Sequence, residues 1–436
     1  MELADDDAKL RALPAAWTFD SIGNLFDIRQ GKSLARHKQT GKQKNKFLRT
    51  ANVLWGKLDL SQVDEMDFSP AECETLALKS GDLLVCEGGD IGRTAVWRDE
   101  LADCYYQNHL HRLRVRDGRV NPEFVMFWMQ AAITQLRVYE GFGNKTTIPN
   151  LSRSRLSDFV IPVPEKSEQE KIAAVLWKIQ KAIEIEDAIV RNARDLKKSL
   201  LRHLFTHGLR GEPLKETEIG PLPQSWDVEL LSDCAHVQTG VAKGRRIDEP
   251  DLIEVPYLRV ANVQHGHLDL TEVKKIQIRR DELSRYSLRK DDIVVTEGGD
   301  FDKLGRGFIW DGQVDPCVHQ NHIFVIRPNR NRLLPRYLAY LIQSPHGRDY
   351  FLTVAHKTTN LACINTSKLK ALPLLIPPLI DQKEIADILQ TVDRKIDIHE
   401  AKKRSLQELF KTMLNKLMTA QIRVNDLDID TSEVTK

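Results

Sequence analysis

The sequence predicts an α+β protein: two mixed α/β domains in a pseudo-two-fold arrangement, joined by two long helices that form an antiparallel coiled coil. Three observations predict it. The 436-residue chain repeats itself once, in the same order and about 210 residues on. Each copy alternates short β-type runs with turn signals ahead of a Pro-led helix. Each copy ends in an apolar stripe with heptad spacing.

The repeat rests on matched strings. FLRTANV at 47–53 returns as YLRVANV at 257–263, and GDLLVCEGGD ending at Asp90 returns as DDIVVTEGGD ending at Asp300. QNH at 107–109 returns at 320–322, and KTT at 145–147 returns at 357–359. The offset is 209 at LPAAW/LPQSW, 210 through Asp90/Asp300, and at or near 213 from Trp97/Trp310 onward, after a short insertion, FDKLGRG, in the second copy. So long a period is two copies of a whole domain plus a helix, not a solenoid of small units.

Within each copy, runs such as DLLVCE, IVVTE, HRLRV and IFVIRP read as strands. Pro opens the helices expected at 122–136 and 335–343, where its missing N–H costs nothing. A loop carrying KTT follows, then an apolar strand stopped by Pro in VIPVP or LLIPP. After the Pro, Ile172, Leu176, Ile179, Ile183, Val190, Ala193, Leu200 and Leu204 fall on steps of three and four. Ile385, Leu389, Val392, Ile396, Leu406, Phe410, Met413 and Leu417 do the same in the second copy. Glu186, Lys197, His399 and Lys403 interrupt the seam, and Glu186 against Lys403 suits an antiparallel register. The expected divisions are a domain at 1–164, its helix at 165–210, a second domain at 211–377, its helix at 378–423 and a disordered tail at 424–436, which is polar and acidic.

Composition excludes several classes. The longest apolar runs fall short of the ~18 residues that span a bilayer. The acidic start MELADDDAKL is no secretory signal. Six cysteines without ligand spacing argue against zinc and suit a cytoplasmic protein. GKS at 31–33 lacks the upstream Gly of a P-loop, since that position is Phe26. No dinucleotide fingerprint, adenine-receiving NPPY-type tetrad, HExxH or GxSxG is present. The net charge is only +2, but Arg29 to Arg49 holds eight Lys or Arg and no acid. Such a run is either a solvated loop or a nucleic-acid contact, and Gly31, Ser33 and Thr40 beside it favour the second.

A Trp near the start of each copy, the GD-type strand, the QNH box, the TT loop, and IPxP followed by SEQEKI or DQKEI together resemble the specificity subunit of type I restriction–modification systems. The resemblance covers almost the whole chain and both copies. It implies that each domain is a target recognition domain reading one part of a bipartite DNA sequence, with the paired helices as the ruler between them. It implies two methyltransferase subunits as partners, carrying S-adenosylmethionine, and nuclease/translocase subunits using ATP and Mg2+. This chain itself is expected to hold no catalytic site, cofactor or metal.

Phosphate contacts position a protein on DNA and base contacts specify the sequence. Positioning cations are expected at Lys32, Arg36, Lys38, Lys42, Lys44, Lys46 and Lys145, and at Lys243, Arg245, Arg246 and Lys357. Thr146, Thr147, Thr358 and Thr359 are further phosphate donors. Readers should come from where the copies differ, which selects Arg153, Arg155 and the 241–248 loop over the shared QNH. Two other readings are a methyltransferase or endonuclease with an unrecognised catalytic site, and a coiled-coil adaptor with no DNA role.

Overall fold

The computed structural model describes residues 13–33, 44–138, 150–242, 251–299, 304–357 (357 by its backbone alone) and 362–434. The chain divides into two compact units, and the division cuts through both long helices. Unit 1 is 1–186 with 401–436, and unit 2 is 187–400. The sequence leads one to expect the helices as segments separate from the domains. Instead each unit holds one domain, the first half of that domain's own helix and the last half of the other helix.

In unit 1 a four-stranded antiparallel sheet forms the domain's centre. Its strands are β1 (Phe26–Gln30), β3 (Leu83–Cys86), β4 (Thr94–Val96) and β5 (Leu110–Val115), in the order β1-β5-β3-β4. β2 (Lys44–Leu48) lies in a second sheet, antiparallel to Asp64–Asp67 and parallel to Cys104–Tyr106. Helix α1 (Pro122–Ala131) carries Pro at its first turn and is capped by Asn121, whose side chain accepts from Phe124 N. Unit 2 repeats this plan. β6 (Ala235–Thr239), β8 (Asp292–Thr296), β9 (Gly307–Trp310) and β10 (Ile323–Pro328) take the order β6-β10-β8-β9. β7 (Leu252–Leu258) pairs with Lys274–Arg279 and, in parallel, with Val318–His319. Helix α3 (Pro335–Gln343) again opens on Pro.

The long helices are α2 (Lys166–His207, 42 residues) and α4 (Leu379–Met418, 40 residues). Both run antiparallel within each unit. In unit 1 Glu186 is ion-paired with Lys402 at 2.6 Å and Glu168 with Arg423 at 2.6 Å, so one number rises as its partner's falls. In unit 2 Lys197 pairs with Asp393 at 2.7 Å and Arg210 with Asp381 at 2.6 Å. The buried acid Glu186 thus meets Lys402, next along the chain from the Lys403 of the heptad count.

Seam residues enter the domain cores. Ile172 and Leu176 join Phe124, Trp128, Leu414 and Leu417 in unit 1. Ile385 and Leu389 join Tyr337, Leu341, Leu201 and Leu204 in unit 2. Val392, Ile396 and Ala193 form a small cluster with Leu200 at its edge. Ile179, Ile183, Leu406 and Phe410 are half-buried, as suits a two-helix seam open to solvent on its flanks.

The EQ and DQ boxes explain how each helix is seated. Gln169, fully buried, accepts from Asn121 N and donates to the carbonyls of Arg119 and Pro164. Gln382 does the same with Leu334 N, Arg332 O and Pro377 O. A buried amide whose three bonds are met ties helix, strand end and Pro-led helix together.

The tail corrects the expectation of disorder. Val424 and Val434 are buried in the unit 1 core, with Ile429 packed against it. Asn121 donates to Val434 O at 2.8 Å, and the Trp177 indole N–H donates to Glu433 at 3.1 Å. Three apolar anchors and these bonds supply the burial that its polar composition hides.

Candidate nucleic-acid interface

The strings shared by the two halves converge on one place in each domain. In unit 1, Lys32 N donates to Tyr106 O (3.0 Å), Asn108 N to Lys32 O (2.9 Å), and Gln107 N to Leu48 O (2.9 Å). Glu87 N donates to His109 O (3.0 Å), and Leu151 N to Glu87 O (2.7 Å). Unit 2 repeats the lattice: Val241 N to His319 O (2.8 Å), Asn321 N to Val241 O (2.9 Å), Gln320 N to Leu258 O (3.0 Å), Glu297 N to His322 O (3.0 Å) and Ile364 N to Glu297 O (2.9 Å). QNH, EGG, the FLR/YLR strand and the segment after KTT are therefore one backbone scaffold. In unit 2 the KTT root itself is placed, with His356–Lys357 pairing Ala362–Cys363, which pairs Gly298–Gly299.

Close backbone approach sets the glycines at the loop roots. A Cβ on Gly31 would lie 2.3 Å from the carbonyls of Tyr106 and Gln107, and one on Gly240 2.0 Å from His319 O. Only glycine admits such contacts. In the sequence, the basic segments of both copies follow soon after these points.

The Asn of RTANV and RVANV serves the same lattice. Asn52 accepts from Arg49 N and donates to the carbonyls of Asp59 and Gln62. Asn262 makes the matching bonds to Arg259 N, Asp269 O and Glu272 O. The Glu of EGG faces the His of QNH: Glu297 Oε2 is hydrogen-bonded at 2.6 Å to His322 Nδ1, and Glu87 Oε2 lies 3.9 Å from His109 Nδ1. Gln30 donates to Glu87 and to Asn108 O. Burial pushes the His111 ring below its usual range, and it bonds Leu151 O at 3.0 Å. His319, also buried, is pushed down to about 4.

The structure separates the expected DNA contacts. Lys32 is turned inward: its ammonium donates to Asp67 O at 2.7 Å and Glu72 at 2.5 Å, and lies 5.1 Å over the Phe68 ring. Burial works to raise the Glu72 carboxyl, but the bonds from Lys32 and Ser69 outweigh it and hold it low. Lys32 is thus matched by an acid 40 positions away that the local run does not reveal. Lys44 and Lys46 are exposed and share one face of β2, two residues apart. Arg153 is exposed and Arg155 half-buried on the short helix Arg153–Asp158, capped by Ser152. Arg36, Lys38, Lys42, Lys145, Thr146, Thr147, Lys243, Arg245, Arg246, Thr358, Thr359 and the Lys357 side chain lie outside the described residues. What sequence reasoning missed is the bracing role of Asn52, Asn262, Gln169 and Gln382, though each stands inside a repeated string.

Two domains built alike on the same backbone lattice, each packed with halves of two antiparallel helices, define a duplicated-domain class of protein. Residues 14–192 and 223–408 match the type I restriction modification DNA specificity domain. The chain belongs to the family of type I restriction–modification specificity subunits. It is 30% identical to the putative type I restriction enzyme MjaX specificity subunit of Methanocaldococcus jannaschii, over 48% of this chain and 49% of that one, so that match spans about half of each. It is 20% identical to the StySPI specificity subunit of Salmonella potsdam over 96% of this chain and 92% of that one. The crystal structure of a type I restriction–modification S subunit from M. genitalium shares the fold, with TM-score 0.56 and 17% identity, covering 96% of this chain and 98% of that one.

Proposed function

We propose that each domain reads one part of an asymmetric bipartite duplex and that two copies of a methyltransferase subunit dock on the helices. On this reading the chain is non-catalytic and cytoplasmic. S-adenosylmethionine is carried by the methyltransferase, and ATP with Mg2+ by nuclease/translocase subunits that join the assembly. No described helix is long and apolar enough to cross a membrane.

The observation that carries the reading is a set of exposed apolar residues at repeat-matched positions. Ile185 and Ile398, 213 apart, are 58% and 64% exposed, and Leu196 and Leu409, also 213 apart, are 51% and 45% exposed. Solvent-facing apolar residues on a helix mark an interaction surface when they are not scattered singly. Here each unit presents one Ile and one Leu of the set, which fits two copies of one partner.

The test is reconstitution of the full chain with the methyltransferase subunit of its host system. The expected result is a complex with two methyltransferase copies that methylates a bipartite duplex. Its DNA affinity should fall steeply with salt as several phosphate contacts release counterions. Methylation by this chain alone, or DNA binding indifferent to salt, would overturn the reading.

A further inference from the structure

The two units differ where the helix pair meets the domain face. Unit 2 holds a cavity of about 1200 Å³ between the α2–α4 pair and the domain face. Three of its wall cations are neutralised: Lys197 by Asp393 at 2.7 Å, Arg336 by Asp311 at 3.2 Å, and Arg194 by Glu400. Four others have no ion pair among the described residues: Lys198 and Arg202 on α2, Arg394 on α4, and Arg348 on the domain. Only Asp349 and Asp397 among the wall acids are likewise unpaired, so positive charge prevails. The His265 ring lies on the same wall. Burial, then Arg348, Lys197, Arg306 and His267, push it down to about 4.

In unit 1 the same place is filled from within. Phe410 stands where unit 2 has Lys197 and meets Phe127, the counterpart of Tyr340, at 6.0 Å. Trp177 stands where unit 2 has Gln390, with Arg98 stacked at 4.0 Å and its N–H held by Glu433 of the tail. Gln135 bonds across to Lys411 O.

We propose that the unit 2 groove receives an acidic segment of a partner subunit, so that the two docking events on this chain differ in chemistry. This rests on the partner reading above. Size favours a peptide, since pockets for small molecules span roughly 300–1000 Å³. Cations spread over three elements match an extended polyanion better than one phosphate group. Leu196 and Ile398, the exposed docking residues of the same unit, lie on the same two helices as the wall residues Arg194, Lys198 and Asp397.

The experiment uses the full chain with the methyltransferase subunit, comparing wild type with Arg348→Glu/Arg394→Glu and the milder Arg348→Gln/Arg394→Gln. Both positions are open to solvent, and unchanged thermal melting of the milder variant shows that it is folded. The expected result is that one of two methyltransferase copies binds at least tenfold more weakly and the other is unaffected. Soluble polyglutamate should displace that same single copy from wild type. Two copies held by both variants with unchanged affinity would overturn the inference and leave the partner reading standing. Equal weakening of both copies, or displacement by tripolyphosphate but not polyglutamate, would also overturn it. A wild-type chain that binds no methyltransferase would sink both.

Discussion

Arg98 holds Glu123 through a 2.9 Å ion pair in unit 1, and at the matched positions of unit 2 the charges are exchanged, with Asp311 facing Arg336 at 3.2 Å. Each pair ties the end of a sheet strand to the first turn of the Pro-led helix. Glu123 is buried, and that burial raises its carboxyl above the usual range despite Arg98. The geometry therefore demands opposite charges and is indifferent to which side carries which.

Arg98→Asp should leave a buried carboxylate facing a like charge and destabilise unit 1 by about 2–4 kcal/mol. The double variant Arg98→Asp/Glu123→Arg, which copies the unit 2 arrangement, should recover most of that loss. Urea denaturation of the three proteins checks this. A double variant no more stable than the single one would show that the Arg98 stack on Trp177 matters more than the ion pair.

His319 makes stability depend on pH. Its folded value of about 4 lies below the ordinary 6.5, so the neutral ring is favoured by folding. That contribution is fully present above about pH 6.5 and is lost as pH falls toward about 4, because the unfolded chain takes up the proton first. His319→Tyr, matching Tyr106 at the equivalent position, should flatten the stability profile in this window. Denaturation midpoints at pH 7 and pH 4.5 decide it: an equal fall in both proteins would exclude His319 as the cause.

Removal of residues 425–436 should lower the melting temperature of unit 1 and leave unit 2 unchanged. The cut uncovers the site of Val434, takes Glu433 from the Trp177 indole and frees Asn121 Nδ2. Calorimetry with Trp fluorescence measures it. A disordered tail would give no change in either transition.

These elements differ in how far the residues announce them. Ile172, Leu176, Ile385 and Leu389 recur with a period that only a helix face explains, so the paired helices were legible. The duplication exposes the scaffold, because QNH and EGG recur between segments of sequence that do not. The ion pair of Lys32 is not legible in its basic run, because its neutraliser, Glu72, comes from a helix distant in sequence. The order of the tail is not legible because Val424, Ile429 and Val434 are too widely spaced to form a period. The division of each helix between units was hidden for a different reason. Heptads state that a helix has a partner, not which domain each half supports.

That division yields the last prediction. Unit 1 draws Leu414, Leu417 and Met418 of α4 into its core and seats Arg423 on Glu168. Residues 1–212 alone lack these, but they contain the matched segment of α2, with Leu201, Leu204, Phe205 and Arg210 in place of the four. A second copy can supply that segment only by accepting the same from the first, which is a closed two-fold exchange. The fragment should therefore be a dimer at micromolar concentration, with Arg210 of each chain meeting Glu168 of the other. Arg210→Glu should weaken the dimer, and the added change Glu168→Arg should restore it. Sedimentation equilibrium measures all three proteins. A strictly monomeric, folded fragment would show that the domain completes its core without a second helix, contrary to the packing of Leu414 and Leu417.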